Sequence, residues 1–215
     1  MRKREKTRNE FISSLRKRGI DDKRVLAAME KVPRERFVER EHEDIAFSDQ
    51  ALPIACGQTI SQPSLVAAMT AALKIAPEHK ILEIGTGSGY QAAILSHLAH
   101  KIVSVERFSA LAKIARERLG ELGIGNVTVI EGDGAEGLPG EAPFDRIMLT
   151  AAALRVPPAL MGQLADNGIL IAPLGPPGEI QMLTRFTKKA SGVLETEELM
   201  AVRFVPLLPG TKPVS

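Results

Sequence analysis

Lys80-Ile-Leu-Glu-Ile-Gly-Thr-Gly-Ser-Gly-Tyr90 decides the fold. Lys80 to Ile84 is a short apolar run that reads as a buried strand. Gly85, Gly87 and Gly89 then make a turn with little side-chain bulk, and Gln91 to Ala99 reads as a helix. Such a turn lets a ligand approach the backbone, and the helix start offers free N–H groups.

The same alternation continues downstream. Lys101 to Val105 is a strand ending at Glu106, and Ala110 to Leu122 is a helix stopped by Gly123 and Gly125. Asn126 to Ile130 is a strand that runs into Glu131-Gly-Asp133-Gly134, and Phe144 to Leu149 is a strand ending at Thr150. Pro158 to Leu164 is a helix and Ile169 to Ala172 a strand. Strand and helix alternating at this spacing specify βαβ units, hence an α/β fold with a doubly wound, mostly parallel sheet. Beyond Leu174 the alternation stops. Gln181 to Thr187 and Leu199 to Leu207 read as an antiparallel C-terminal strand pair, whose order in the sheet the sequence leaves open.

Upstream lies an N-terminal helical extension. Asn9 to Arg18 places Phe11, Ile12 and Leu15 on one face, and Asp21 caps a second helix, Asp22 to Val32, with Val25, Leu26 and Met29 inward. Pro33 to Pro53 is irregular, Gly57 to Pro63 is a loop, and Ser64 to Leu73 is a buried helix. Residues 1–77 are expected to form a helical segment and loop packed on an α/β core, 78–215, in one integrated domain.

Composition excludes several classes. The single cysteine, Cys56, forbids an internal disulfide or a multi-cysteine metal site, and the four histidines lack ligand spacing, so no metal is expected. Cys56 itself is expected to be a small buried side chain rather than a nucleophile. Aromatic residues make up 4% of the chain, too few for nucleic-acid stacking platforms, and no apolar run is long enough to span a membrane. The first forty residues hold 14 Lys and Arg against 7 Asp and Glu, a net +7; the other 175 hold 14 against 19, a net −5. The bland reading of that asymmetry is a solvated helical arm. The start has no apolar stretch behind its basic residues, so no secretory signal is expected, and a cytoplasmic location is.

In an open parallel sheet, ligands bind beyond the carboxyl ends of the strands. Those ends carry Gly85 to Gly89, Glu106, Asp133 and Thr150. A dinucleotide fingerprint would need glycine at 90, where this chain has tyrosine. Glu83, two residues before the first glycine, is awkward for a pyrophosphate and suits a cationic group. Glu106 can accept from two ribose hydroxyls, and Asp133 from an exocyclic amine such as adenine's. A ribose, an adenine and a positive group without a phosphate clamp describe S-adenosylmethionine.

Leu82-Glu-Ile-Gly-Thr-Gly-Ser-Gly-Tyr90 resembles the first motif of the class I S-adenosylmethionine-dependent methyltransferases, a Rossmann-like family. Ala51-Leu-Pro-Ile54 with Gly57-Gln-Thr-Ile-Ser-Gln-Pro63 narrows the likeness to the protein-L-isoaspartate O-methyltransferases. Val32-Pro-Arg-Glu-Arg-Phe-Val38, Phe144-Asp145 with Thr150-Ala-Ala152, and Val202-Arg-Phe-Val-Pro-Leu207 agree, so the resemblance runs from about Ile20 to Leu207. It departs at Ala55-Cys56 and at Leu154-Arg155. The resemblance implies methyl transfer to the free α-carboxylate of isoaspartyl residues in damaged proteins and peptides. No nucleic-acid or membrane partner is expected from the composition, and a monomer is expected, although the sequence does not itself give the oligomeric state. The resemblance implies Ser61 as the active-site serine, with Thr59, Val205 and Pro206 as further substrate contacts. It implies Gln62, Glu83, Gly85, Gly87, Gly89, Glu106, Arg107, Asp133 and Gly134 as cofactor contacts. By local pattern alone Ser61 reads as a helix cap; the motif around it favours orientation of the acceptor carboxylate. Methyl transfer to RNA, a non-catalytic nucleoside-binding module and a nicotinamide oxidoreductase are the competing readings.

Overall fold

The computed structural model describes residues 2–212, with side chains from Asn9 onward; Met1 and residues 213–215, the ends of the two segments drawn above, lie outside the described residues. Helix α1 spans Arg2–Lys17, starting seven residues earlier than the apolar pattern indicates, because residues 2–8 include no apolar residue to carry that pattern. It buries Phe11, Ile12 and Leu15. Helix α2, Lys23–Lys31, is capped by Asp22 rather than Asp21: the Asp22 carboxylate accepts from the backbone N–H of Arg24 and Val25. The stretch read as irregular holds two 3₁₀ turns, Arg34–Arg36 and Arg40–Ile45, then strand β1, Leu52–Ile54. β1 pairs antiparallel with β2, Gln58–Ile60, in a small separate ladder. Helix α3, Pro63–Ala72, follows, with proline in its first turn.

The core begins with strand β3, Lys80–Ile84, followed by α4 (Tyr90–Ser96), β4 (Lys101–Glu106), α5 (Ser109–Glu121) and β5 (Val127–Glu131). Then come β6 (Phe144–Leu149), α6 (Pro158–Gln163), β7 (Leu164–Leu174), β8 (Gln181–Lys188) and β9 (Leu194–Val202). The sheet order is β5-β4-β3-β6-β7-β8-β9. β3 to β7 run parallel, while β8 and β9 add antiparallel as a plain meander, which settles the order of the last two strands. The chain leaves β3 in one direction and returns through β6 on its other side, so β3 is the switch point at which a ligand crevice opens.

The pleat sends alternate residues of β3 to opposite faces. Ile81 joins an apolar cluster that runs without a break from Phe11 on α1 through α2 to α5. Leu82 and Ile84 join a second cluster, with Phe144, Ile147, Leu160 and Leu170, on the face covered by α6.

The last strand departs from expectation. β9 occupies Leu194–Val202, not Leu199 to Leu207, and all of it except Leu199 and Val202 is exposed. An edge strand that buries almost nothing has no alternating pattern to reveal it. The apolar run from Val202 to Leu207 instead leaves the sheet and covers the ligand crevice.

Candidate active site at the carboxyl ends of the strands

The turn after β3 is built from residues that only glycine can replace. Gly85 has φ +96°, and a Cβ there would stand 2.3 Å from Thr150 Oγ1. Thr150, at the end of β6, holds the turn through its Oγ1, 2.9 Å from the Ile84 carbonyl and 2.6 Å from that of Gly85. Gly87 (φ +53°) donates its N–H to Glu106 Oε2 at 2.8 Å. Gly89 (φ +89°) starts α4 and packs against Ala115, out of the crevice.

The three strand-end acids sit at different depths. Glu106 lies at the end of β4, and its second oxygen accepts from the Phe108 N–H at 3.0 Å. Two backbone donors fix this carboxylate and leave it lone pairs for hydroxyls in the crevice. Glu83 departs from the expectation of a ligand contact. It lies on the face of β3 opposite Leu82 and Ile84, is fully buried and does not line the cavity. Ser104 donates to one of its oxygens and shares a 2.6 Å hydrogen bond with Thr86, so Glu83 braces the glycine turn from behind. Its other oxygen is buried without a partner. Burial pushes the Glu83 carboxyl up to about 8; the Ser104 hydrogen bond opposes this and the nearby Glu106 charge adds to it. Asp133 also stands outside the lining. Its oxygens accept from the N–H groups of Ala135 (2.8 Å) and Gly210 (2.6 Å). The adjacent Gly134 does line the cavity, and a Cβ there would meet Ile84 Cγ2 at 2.5 Å.

The C-terminal segment forms a strap. Ala152 donates to the Val205 carbonyl (2.8 Å) and accepts from the Leu207 N–H (2.7 Å). Farther on, Gly210 ties to Asp133, and Lys212 donates its N–H to the Arg107 carbonyl at 2.7 Å. The strap lays Phe204 to Leu208 along one wall of a cavity of about 240 Å³.

The opposite wall comes from the β1–β2 hairpin and α3: Gly57 to Ser61, Val66 and Met69. Ser61 does not cap α3. The cap residue is Gln62, without a side-chain bond to the helix, and the first turn is held by Asp49, which accepts from the Ser64 N–H and hydroxyl at 2.8 and 2.9 Å. Ser61 lines the cavity, and its hydroxyl has no hydrogen bond to another described residue. Gln62 turns its amide to Ser64 Oγ and stays out of the lining. Cys56, expected to be buried, is exposed and has φ +60°.

The fold therefore brings Thr59, Ser61, Gly85, Gly87, Glu106, Arg107, Gly134, Val205 and Pro206 around one cavity, and leaves Gln62, Glu83, Gly89 and Asp133 behind it. Gln91 and Leu208 line it without having been singled out, and so do Tyr90, noted only in place of a fingerprint glycine, and Phe204, noted only within a motif. The apolar character of Tyr90, Phe204 and Leu208 reads equally well as core, and Gln91 reads as an ordinary helix residue. Thr150 stood among the strand ends and within the quoted Thr150-Ala-Ala152, with no role assigned to it. Among the described residues no cluster of side chains could hold a metal ion.

Comparisons with known proteins agree with this geometry. The family model described as protein-L-isoaspartate(D-aspartate) O-methyltransferase matches residues 5–212. A protein-L-isoaspartate O-methyltransferase of Azorhizobium caulinodans is 58% identical over 200 residues, covering 93% of this chain and 92% of that protein. One from Xanthobacter autotrophicus is 56% identical, covering 93% and 91%. A solved protein-L-isoaspartate O-methyltransferase superposes with a TM-score of 0.84 at 30% identity; the match covers 93% of this chain and spans 65% of that longer one. A putative protein-L-isoaspartate O-methyltransferase from Plasmodium falciparum, solved with S-adenosyl-L-homocysteine, superposes with a TM-score of 0.80 at 26% identity, covering 93% and 97%.

Proposed function

The chain belongs to the protein-L-isoaspartate(D-aspartate) O-methyltransferase family, and from that premise we propose how its cavity divides between cofactor and acceptor. The enzyme is S-adenosylmethionine-dependent and methylates the free α-carboxylate of L-isoaspartyl residues in damaged proteins and peptides. An RNA acceptor is not favoured, since relatives matching over nine-tenths of the chain bear the isoaspartate name.

One observation carries the division. A single cavity is lined both by the glycine turn, Glu106 and Gly134 and by Thr59, Ser61, Val205 and Pro206. The first group fits the cofactor: the turn and Gly134 line the cavity without side-chain bulk, so a ligand can approach the backbone, and Glu106 offers carboxylate lone pairs suited to ribose hydroxyls. The second group fits the acceptor. The cofactor, when bound, supplies a methyl group already activated by its sulfonium. The acceptor carboxylate, with an ordinary value near ~3.9, is ionised at neutral pH, so no general base is required of the protein. What remains for these residues is alignment and exclusion of water. The Ser61 hydroxyl donates to the acceptor carboxylate and orients it, Val205 and Pro206 bound it, and the strap closes the cavity over both.

The unbroken apolar cluster from α1 to the sheet supports one integrated domain, for which a single urea transition is the check. Among the described residues no helix is long and apolar enough to cross a membrane. The single cysteine, Cys56, favours a reducing compartment, and we propose a cytoplasmic monomer, its oligomeric state testable by sedimentation. The central experiment is transfer of labelled methyl to an isoaspartyl peptide and to its aspartyl isomer. Ser61→Ala should cut turnover of the isoaspartyl peptide at least tenfold and leave S-adenosylhomocysteine affinity nearly unchanged. Turnover like the wild type would refute the role given to Ser61.

A further inference from the structure

Arg34 is the charged side chain that the site does not yet account for. It follows Pro33 in the first 3₁₀ turn and is fully buried. Among the described residues no carboxylate pairs with it. Asp49 contributes attraction from farther off, but that carboxylate is spent on Arg18, 3.1 Å away, and on the start of α3. A buried cation without a counter-ion is costly, and a structure that keeps one gets something specific from it.

The geometry shows what. Arg34 Nε donates to the Ala46 carbonyl at 2.7 Å, and Nη2 to the Ser61 carbonyl at 2.8 Å. The guanidinium stacks 4.7 Å from the centre of the Tyr90 ring. Tyr90 is the first residue of α4, immediately after the glycine turn, and both Tyr90 and Ser61 line the cavity. Phe37 holds the Tyr90 ring edge-on at 5.5 Å. One rigid, planar fork thus joins the acceptor loop to the end of the cofactor turn. Lysine, a point charge on a flexible stem, cannot reproduce two donors in fixed directions together with a stacked face.

We infer that Arg34 is a positioning residue: it sets the Ser61 loop at a fixed place relative to the glycine turn, so that acceptor and cofactor meet in register. Its uncompensated charge also favours an anionic acceptor beside Ser61. The inference rests on the acceptor role proposed for Ser61.

The test uses Arg34→Lys and Arg34→Met. Each is assayed for unfolding midpoint, for S-adenosylhomocysteine affinity and for kcat/KM on an isoaspartyl peptide. The expected result is a dissociation constant within threefold of the wild type. In the same variants, kcat/KM falls at least tenfold for Lys and further for Met. A folded variant with kcat/KM within threefold of the wild type overturns the inference. So does a loss of cofactor affinity in step with turnover, which would mean a role in the fold alone, and so does failure of both variants to fold. If only Arg34→Met fails to fold, Arg34→Lys decides. A wild-type protein that binds the cofactor but does not methylate the peptide refutes the acceptor assignment itself, a result distinct from all of these.

Discussion

Replacing Glu83 by glutamine should make the protein more stable at neutral pH while changing almost nothing at low pH. The folded-state carboxyl stands at about 8 against an ordinary 4.5, because it is buried beneath the glycine turn. A group raised in this way stabilises the fold fully below the unfolded value and loses that contribution as pH climbs toward the folded one. Between the two values the unfolded chain releases a proton that the folded chain retains. Each pH unit in that window lowers stability by about 1.4 kcal/mol, so from pH 4.5 to 7 the loss comes to about 3 kcal/mol. Glutamine is nearly isosteric, still accepts from Ser104 and does not titrate. The assay is urea unfolding of both proteins at the two pH values, without added cofactor. Any constant penalty for the amide drops out when the difference between the proteins at one pH is subtracted from that at the other. The stability difference should move in the variant's favour by about 3 kcal/mol on going to pH 7. Parallel pH dependences in the two proteins would refute the reasoning, because Glu83 would then titrate alike folded and unfolded.

Two further outcomes follow from close approaches of the backbone. Gly134→Ala places a methyl group 2.5 Å from Ile84 and 3.4 Å from Leu207. It should cost about 1–3 kcal/mol by overpacking and weaken S-adenosylhomocysteine binding at least tenfold by calorimetry; affinity within twofold of the wild type would contradict the packing argument. Cys56→Gly relieves a non-glycine residue at φ +60° and should raise stability by about 1 kcal/mol with methyl transfer intact. A lowered thermal midpoint would show that the thiol packs in a way its exposure does not suggest.

The parallel core was legible because buried strands announce themselves as apolar runs and glycine turns punctuate them. The meeting of Gly85, Gly87 and Glu106 followed from strand order, while Gly134 entered through the resemblance. Depth was not legible. Glu83 and Glu106 are both acids at strand ends, yet the pleat turns one beneath the turn and the other into the cavity. Which way a side chain points near a strand's end depends on register, and a one-residue difference inverts it. The place of Asp133 beside the lining was not legible either, because one of the two groups that engage it comes from the strap, seventy-seven positions away at Gly210. β9 was displaced because polar edge strands carry no period. Arg34 lay inside a quoted motif, but burial of a charged side chain is a tertiary fact that composition argues against.

The outer edge of β9 bears on the company this enzyme keeps. Its substrates are damaged chains, some of them loosened enough to offer unpaired strands of their own, and an open sheet edge is a template on which such strands add. β9 pairs with β8 on one side only. Along it stand Glu195, Glu197 and Glu198, with Glu195 and Glu197 paired to Lys189 and Arg185 of the neighbouring strand and turn. A strand docking there would have to strip water from those carboxylates. The acids that hid the strand from its hydrophobic pattern are thus the charges that blunt an open edge against strand addition.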